Sequence, residues 1–301
     1  MTQAAAPAVA PADAAPLVWR TAGRVLRCER PLVMAIVNVT PDSFADGGAH
    51  FDPARAIARC EQALAEGADI LDLGGESTRP GAAPVAADEQ LRRVRPVLRA
   101  AVRLGAAVSV DTRQPEVMRA VLDEGADIVN DVFALQAPGA LQVLARHPAA
   151  GVCLMHMKGD PRTMRDEAVY ADVVTEVIAF LRGRLQAADA QGIAAERIAV
   201  DPGYGFAKRP EHGWTLLSRQ RELGVLARPL VVGLSRKGMV GGATGRAVGE
   251  RRDASVAAAL LAAQRGAHVL RVHDVAATVD ALAILRRLQQ ADAATRAAPA
   301  C

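Results

Sequence analysis

The chain has 301 residues, of which 51% are hydrophobic, 23% charged and only 3% aromatic, a balance that supports one large aliphatic core under a charged surface. Basic residues number 36 and acidic residues 33, a net charge of +3 with no basic run or aromatic-basic stripe, which argues against a nucleic-acid partner. Four scattered cysteines fit neither a disulfide scaffold nor a structural zinc site, and no apolar run reaches the roughly 18 residues of a membrane span, so a reducing cytoplasmic setting is expected.

Residues 1–16 are rich in Ala and Pro, lack the basic start of a secretory signal, and are expected to form a disordered tail. Residues 17–28 place two short apolar runs around Ala22-Gly23, the pattern of a β-hairpin. Apolar, β-branched runs then recur at 32–39, 68–73, 106–112, 126–132, 151–157, 197–202, 229–235 and 267–274. Helical patterns lie between many of them, at 53–66, 88–104, 115–124, 170–191 and 254–265. Gly67, Gly125 and Gly266 each stand just before a strand, where a left-handed residue ends the preceding helix.

Strands that read as continuous apolar runs suit a parallel sheet covered by helices. Eight strand–helix units predict an α/β fold, a parallel eight-stranded (β/α)8 TIM barrel with an N-terminal β-hairpin, and such barrels take about 250 residues. An open doubly wound sheet would carry a GxGxxG loop after its first strand, whereas NVTPDSF follows here. The barrel domain is expected over 17–290, with 291–301 as a frayed tail.

Active sites of such barrels lie at the carboxyl ends of the strands. Those ends carry Asn38, then Thr78-Arg79, Asp111, Asn130-Asp131, His156, Asp201, Ser235-Arg236-Lys237 and Arg271-Val272-His273-Asp274. Asp111, Asn130 and Asp201 are acceptors that suit a heterocycle with ring N–H and amino groups; the plainer reading of either Asp is a bridge to Arg113 or a helix cap. Asn38, Thr78, Arg79, Arg271 and His273 suit a phosphate or pyrophosphate; the plainer reading of any one arginine is a surface charge.

Two loops, TPDSFADGG (40–48) and GGESTRPG (74–81), are rich in Gly, Pro and Ser and suit closure over a substrate. GMVGGATG (238–245) lacks phosphate-loop spacing and reads as a mobile loop. His50, His147, His212 and His268 show no ligand spacing, and His156 is open to either reading. Only three lysines occur, Lys158, Lys208 and Lys237, so each invites a question.

Eight segments in this order resemble the dihydropteroate synthase family of bacterial folate biosynthesis: MAIVNVTPDSFADGG, DLGGESTRPGA, SVDTRQPEV, IVNDV, CLMHMKG, VDPGYGFAK, GLSRK and RVHDV. The resemblance covers nearly all of residues 31–288 and implies a (β/α)8 barrel, usually a homodimer. It implies a transferase that joins 6-hydroxymethyl-7,8-dihydropterin pyrophosphate to 4-aminobenzoate, releasing pyrophosphate before the amine attacks. Sulfonamides compete with the aminobenzoate. It assigns Asp111, Asn130, Met155, Asp201, Phe206, Gly233 and Lys237 to the pterin. Asn38, Thr78, Arg79, Arg271 and His273 fall to the pyrophosphate, with Mg2+ near Asn38. Phe44, Pro80, Ser235, Arg236, Lys237 and Gly238 surround the aminobenzoate.

The implied catalytic groups are Asp111, Lys237, Arg79, Arg271 and His273. Two positions depart from the family pattern: Gly238 where a serine is common, and Tyr204 in the GFGF motif. Pterin-binding barrels of corrinoid methyltransferases and a pterin-binding but inactive paralogue are the rival readings. The joint presence of TPDSF, GGESTRP and SRK speaks against both.

Overall fold

The computed structural model describes residues 17–40, 52–79 and 81–297. An antiparallel hairpin, β1 (Val18–Arg20) and β2 (Val25–Arg27), precedes eight parallel strands. These are β3 (Leu32–Asn38), β4 (Ile70–Gly74), β5 (Ala107–Asp111), β6 (Ile128–Asp131), β7 (Gly151–Met155), β8 (Ile198–Asp201), β9 (Val231–Val232) and β10 (Val269–Val272). Neighbours in sequence pair from β3 to β8, β10 lies between β3 and β9, and a parallel bridge from Val200 to Leu230 closes the ring.

Around the ring run α1 (Pro53–Ala65), α2 (Ala87–Arg103), α3 (Pro115–Asp123), α4 (Ala140–Arg146), α5 (Val173–Asp189), α6 (Pro210–Ser218), α7 (Gly238–Thr244), α8 (Arg252–Gln264) and α9 (Val275–Ala297). Their starts follow local chemistry. Asp52 accepts from the Ala54 amide at 2.9 Å and Asp172 from that of Thr175 at 2.7 Å, while Pro53, Pro115 and Pro210 open helices at positions that need no N–H donor. Gly67, Gly125 and Gly266 have φ of +95°, +98° and +90°, the left-handed turns expected before β4, β6 and β10.

Strand residues alternate between two environments. Val37, Leu71, Val110, Val129 and Leu154 pack outward against helical Leu98, Val121 and Val177. Met34, Ile70, Ala107, Ile128, Cys153, Ala199 and Val231 form an inner cluster that Trp19 of the hairpin closes from the amino end. Trp19 is fully buried and its Nε1 donates to the Arg197 carbonyl at 3.0 Å. The hairpin is thus a stopper for the barrel floor, which leaves the carboxyl end as the open mouth.

Two expectations change. Residues 238–245 are not a loop: 238–244 form α7, because Met239 and Val240 bury into the core while Gly245 ends the helix in the left-handed region. Tertiary burial overrides the poor helix propensity of its glycines. The terminal helix also runs on past Gln290 to Ala297 instead of fraying, its Ala-rich sequence favouring helix, with residues 291–295 exposed. No helix among the described residues is long and apolar enough to cross a membrane. Cys28, Cys60 and Cys153 are free thiols. The tail 1–16 lies outside the described residues.

Candidate functional site

Two residues beyond the inner apolar cluster on each strand, the same alternation brings up Ile36, Asp72, Ser109, Asn130, Met155, Asp201, Gly233 and Arg271. Five of these eight are polar, so the barrel interior changes from a dry core to a polar ring within one step of the pleat. Above it stand Asn38, Asp111, Ser235 and His273, at the rim of a cleft of about 930 Å3. A shallower hollow of about 740 Å3 beside His156 and Glu176 lies outside the ring, and its Lys158 is already paired with Glu176 at 2.8 Å. The barrel mouth is the site.

Arg271 is its central cation. Its Nε donates to Asp72 at 2.6 Å and its Nη2 to Asp111 at 2.9 Å. Burial pulls the guanidinium down, and the two carboxylates more than reverse this, holding it above its ordinary value. Burial pushes the Asp111 carboxyl up, with Arg271 opposing and Asp72 and Asp131 adding to the rise. Two carboxylates around one guanidinium leave Nη1 without a partner among the described residues, a donor available to a ligand anion.

Asp201 is 6% exposed and one of its oxygens accepts from the Gly203 amide at 2.6 Å. Gly203 has φ of +69°, and a Cβ there would collide with the carbonyl oxygen of His156, so the turn that aims Asp201 requires glycine. Burial raises the Asp201 carboxyl, while Lys237 and Arg271 lower it. Lys237 donates to the Tyr204 carbonyl and lies 4.7 Å above the Phe206 ring. Burial pushes its ammonium down to about 8.

On the other side of the mouth, Ser235 Oγ lies 2.9 Å from His273 Nδ1. Burial and the nearby Arg236 and Arg271 push His273 down to about 4, so the ring is neutral at pH 7. Arg236 adopts φ of +60°, a left-handed conformation unusual for a side-chain-bearing residue. Its surroundings hold it there: Ser255 Oγ accepts from its amide at 2.9 Å, Arg251 donates to its carbonyl at 3.0 Å, and Asp274 takes its guanidinium at 2.7 and 3.3 Å. Backbone strain of this kind persists where neighbours over-determine it.

Arg79 is exposed on the 75–79 loop with no acidic partner among the described residues, and Asn38 and Thr78 are half-buried beside it in the cleft. Gly238 is exposed at the start of α7, where a Cβ would meet nothing within 4 Å. Phe44 and Pro80 lie outside the described residues. Asn38, Thr78, Arg79, Asp111, Phe206, Gly233, Ser235, Arg236, Lys237, Gly238, Arg271 and His273 all line one cleft. Asn130, Met155 and Asp201 do not line it but lie among the inward positions beneath. Arg113, the alternative partner weighed for the aspartates, instead sits 3.5 Å from Glu76.

Sequence reasoning missed Asp72, which is fully buried and pairs with Arg271. A carboxylate inside the apolar run ADILDL was its signal. It also left Lys208 unassigned; that ammonium is buried, 2.8 Å from His156 Nδ1 and 3.0 Å from the Phe206 carbonyl. Burial beside Lys208 pushes His156 down to about 2, which makes it a neutral wall residue. Among the described residues no group of three or more His, Cys, Asp or Glu is placed to hold a metal ion.

Chemically, the mouth brings the buried acceptors Asn130, Asp201 and Asp111 together with the donors Arg271, His273 and Arg79 around one cleft. The family described as "Pterin binding enzyme" matches residues 34–273. Dihydropteroate synthase of Neisseria meningitidis serogroup C is 47% identical over 269 residues, spanning 88% of this chain and 95% of the relative. Xanthomonas albilineans dihydropteroate synthase, solved with 4-aminobenzoic acid, superposes with a TM-score of 0.86 at 49% identity, covering 94% of this chain and 100% of that one. The same enzyme solved in complex with 7,8-dihydropteroate gives 0.81 at 46% identity, covering 92% and 98%.

Proposed function

This chain belongs to the dihydropteroate synthase family of pterin binding enzymes, and from that premise we propose how its barrel mouth works. It condenses 6-hydroxymethyl-7,8-dihydropterin pyrophosphate with 4-aminobenzoate, giving 7,8-dihydropteroate and pyrophosphate. The observation that carries this reading is the meeting of two chemistries in one mouth: the acceptors Asn130 and Asp201 in the inward ring with Asp111 one step above them, and the donors Arg271, His273 and Arg79 around the same cleft.

Asp201 and Asn130 receive the donor edge of the pterin, and Met155, Phe206 and Gly233 give its flat faces apolar contact. Lys237, beside Asp201 and over Phe206, supplies a donor to the ring. The pyrophosphate lies towards Arg271 Nη1, the His273 ring, Asn38, Thr78 and Arg79. As the C–O bond to pyrophosphate breaks, its electron pair leaves with the phosphate oxygen, and positive charge develops on the exocyclic carbon. Asp111, a carboxylate at the mouth, stabilises that charge, while Arg271, Arg79 and His273 stabilise the departing anion. The aminobenzoate nitrogen then forms the C–N bond and loses a proton. An arylamine attacking a cation needs no strong base, and with His273 neutral at pH 7 the site supplies only a weak one.

Phe44, Pro80, Ser235, Arg236, Lys237 and Gly238 make the aminobenzoate side, the site at which sulfonamides compete. Mg2+ fits as an ion that arrives with the pyrophosphate: the described residues offer it the Asn38 amide oxygen and no carboxylate cluster, and Mg2+ commonly binds through phosphate oxygens. When bound, it would neutralise charge on the leaving group. A homodimer is supported by exposed Leu261, Ile284 and Leu288 on the packed pair α8 and α9. A cytoplasmic setting is supported by the free thiols.

The test is an assay of pyrophosphate release with both substrates and with each omitted. Release that requires the pterin pyrophosphate and is coupled to dihydropteroate formation supports the reading. No release with both present, at any Mg2+ concentration, overturns it.

A further inference from the structure

The polar ring below the cleft contains one carboxylate that the reaction does not touch. Asp72 is 0% exposed at the middle of β4, with Ile36 and Ser109 beside it in register on the flanking strands. Its Oδ2 accepts from Arg271 Nε at 2.6 Å and from Asn130 Nδ2 at 3.3 Å. Its Oδ1 has no partner among the described residues. Burying a carboxylate in this way is costly, and a single ion pair with one oxygen left over is a weak stabiliser compared with an apolar replacement. A role in positioning accounts for what stability does not.

That role follows from the amide chemistry of Asn130. An amide has one donor end and one acceptor end, and a carboxylate paired with an arginine can only accept. Asn130 is 5% exposed, and its NH2 faces Asp72. Turning the amide over would set oxygen against oxygen. Its Oδ1 therefore points away from Asp72, and among the described residues no group donates to it.

We propose that Asp72 is a positioning residue that locks the Asn130 amide with its acceptor end towards the ligand, so that the pocket selects a ring edge made of donors. This rests on the pterin reading of the site and names the residue that sets its specificity there. Arg271 compensates the charge of Asp72, and the Asp72–Asn130 contact transmits the orientation.

The experiment uses the full chain and two probes, 6-hydroxymethylpterin and its 2-oxo analogue, a lumazine, in which the 2-amino donor is replaced by an acceptor. Calorimetry measures both with the wild type, Asp72→Asn, Asn130→Ala and the double variant. Asp72→Asn frees the amide to turn, so pterin binding should weaken about tenfold, roughly the loss of one hydrogen bond to a neutral amide oxygen at the upper end of its range. The preference for pterin over the lumazine should fall with it. In the Asn130→Ala background the same substitution should change neither affinity by more than about twofold, because the amide it orients is gone.

Losses that multiply in the double variant, or an Asp72→Asn protein that keeps wild-type affinity and preference, overturn the proposal. A fall in both affinities by the same factor also overturns it, since that is what loosened packing would do. If Asp72→Asn alone does not fold, the charge-balanced pair Asp72→Asn with Arg271→Gln replaces it, measured against Arg271→Gln alone. A loss of preference must appear there too, and its absence is a refutation. A wild-type chain that binds no pterin refutes the reading of the site, and the proposal falls with it.

Discussion

Replacing Asp201 by asparagine gives the sharpest test of the acceptor set, because the structure fixes which way the new amide must face. One carboxylate oxygen is committed to the Gly203 amide at 2.6 Å, in a turn whose left-handed glycine leaves no room for adjustment. In Asp201→Asn the amide oxygen has to keep that bond, since an NH2 group there would meet an N–H. The NH2 then points where the second carboxylate oxygen was, towards the donor edge of the pterin. The substitution thus removes one hydrogen bond to a charged acceptor and sets donor against donor. The first loss alone is about 1.5–3 kcal/mol, or roughly ten- to 150-fold in affinity.

Stability should move little. Burial raises the Asp201 carboxyl above its ordinary range, so the folded chain holds this charge at a cost that rises with pH, and a neutral amide relieves it. Loss of the counter-charge for Lys237 and Lys208 works the other way. Titration calorimetry with a free pterin, alongside thermal melting, separates the two quantities. Unchanged pterin affinity in a protein that melts normally would refute the reasoning and leave Asp201 as a purely structural turn residue.

Two further outcomes follow from the rim. His273 in the free protein titrates at about 4, below the ordinary histidine value, and a nearby pyrophosphate favours its charged form. The bound value therefore exceeds the free one, pyrophosphate binding takes up a proton, and affinity strengthens as pH falls from 7 towards 4; an NMR titration showing a free value of 6.5 or higher contradicts this. At Gly238, where a Cβ meets nothing, alanine keeps the amide at the start of α7 and should leave the Michaelis constant for 4-aminobenzoate within about threefold, less than one charged hydrogen bond is worth. Proline removes that N–H, and the constant should rise about tenfold if the amide holds the carboxylate; equal behaviour of the two folded variants at saturating pterin pyrophosphate rules out the backbone anchor.

The elements that were legible in the sequence are those decided by local chemistry. A glycine before β4, β6 and β10 acts within a few residues, and the apolar periodicities of α1, α2, α3, α5 and α8 are long enough to read, whereas the short helices α4 and α6 carry too little periodicity to be read. The residues at the strand ends could be read for the same reason: a polar group that stops an apolar run stands at the rim whichever way the barrel closes. Residues 238–244 could not be read as a helix. Their three glycines argue for a loop, and only the burial of Met239 and Val240 against the barrel reverses that.

Asp72 shows where such reading ends. Four of the six residues of ADILDL are apolar, and a strand covered by helices has no polar face to betray its orientation. Nothing local says whether Asp72 points at the helices or into the ring; that depends on the parity set by pairing with β3 and β5, where Ile36 and Ser109 stand opposite it. Closure then brings Arg271 to it from 199 residues away in the chain. The ion pair costs no less for being distant, and its geometry explains the choice of residue: an arginine presents a fork that meets Asp72 and Asp111 together and still keeps donors for an anion, which a lysine on the same strand could not do. In a chain with three lysines, Arg271 is therefore more than compositional bias. Two carboxylates on neighbouring strands require the fork, and the fork in turn fixes where the anion can lie.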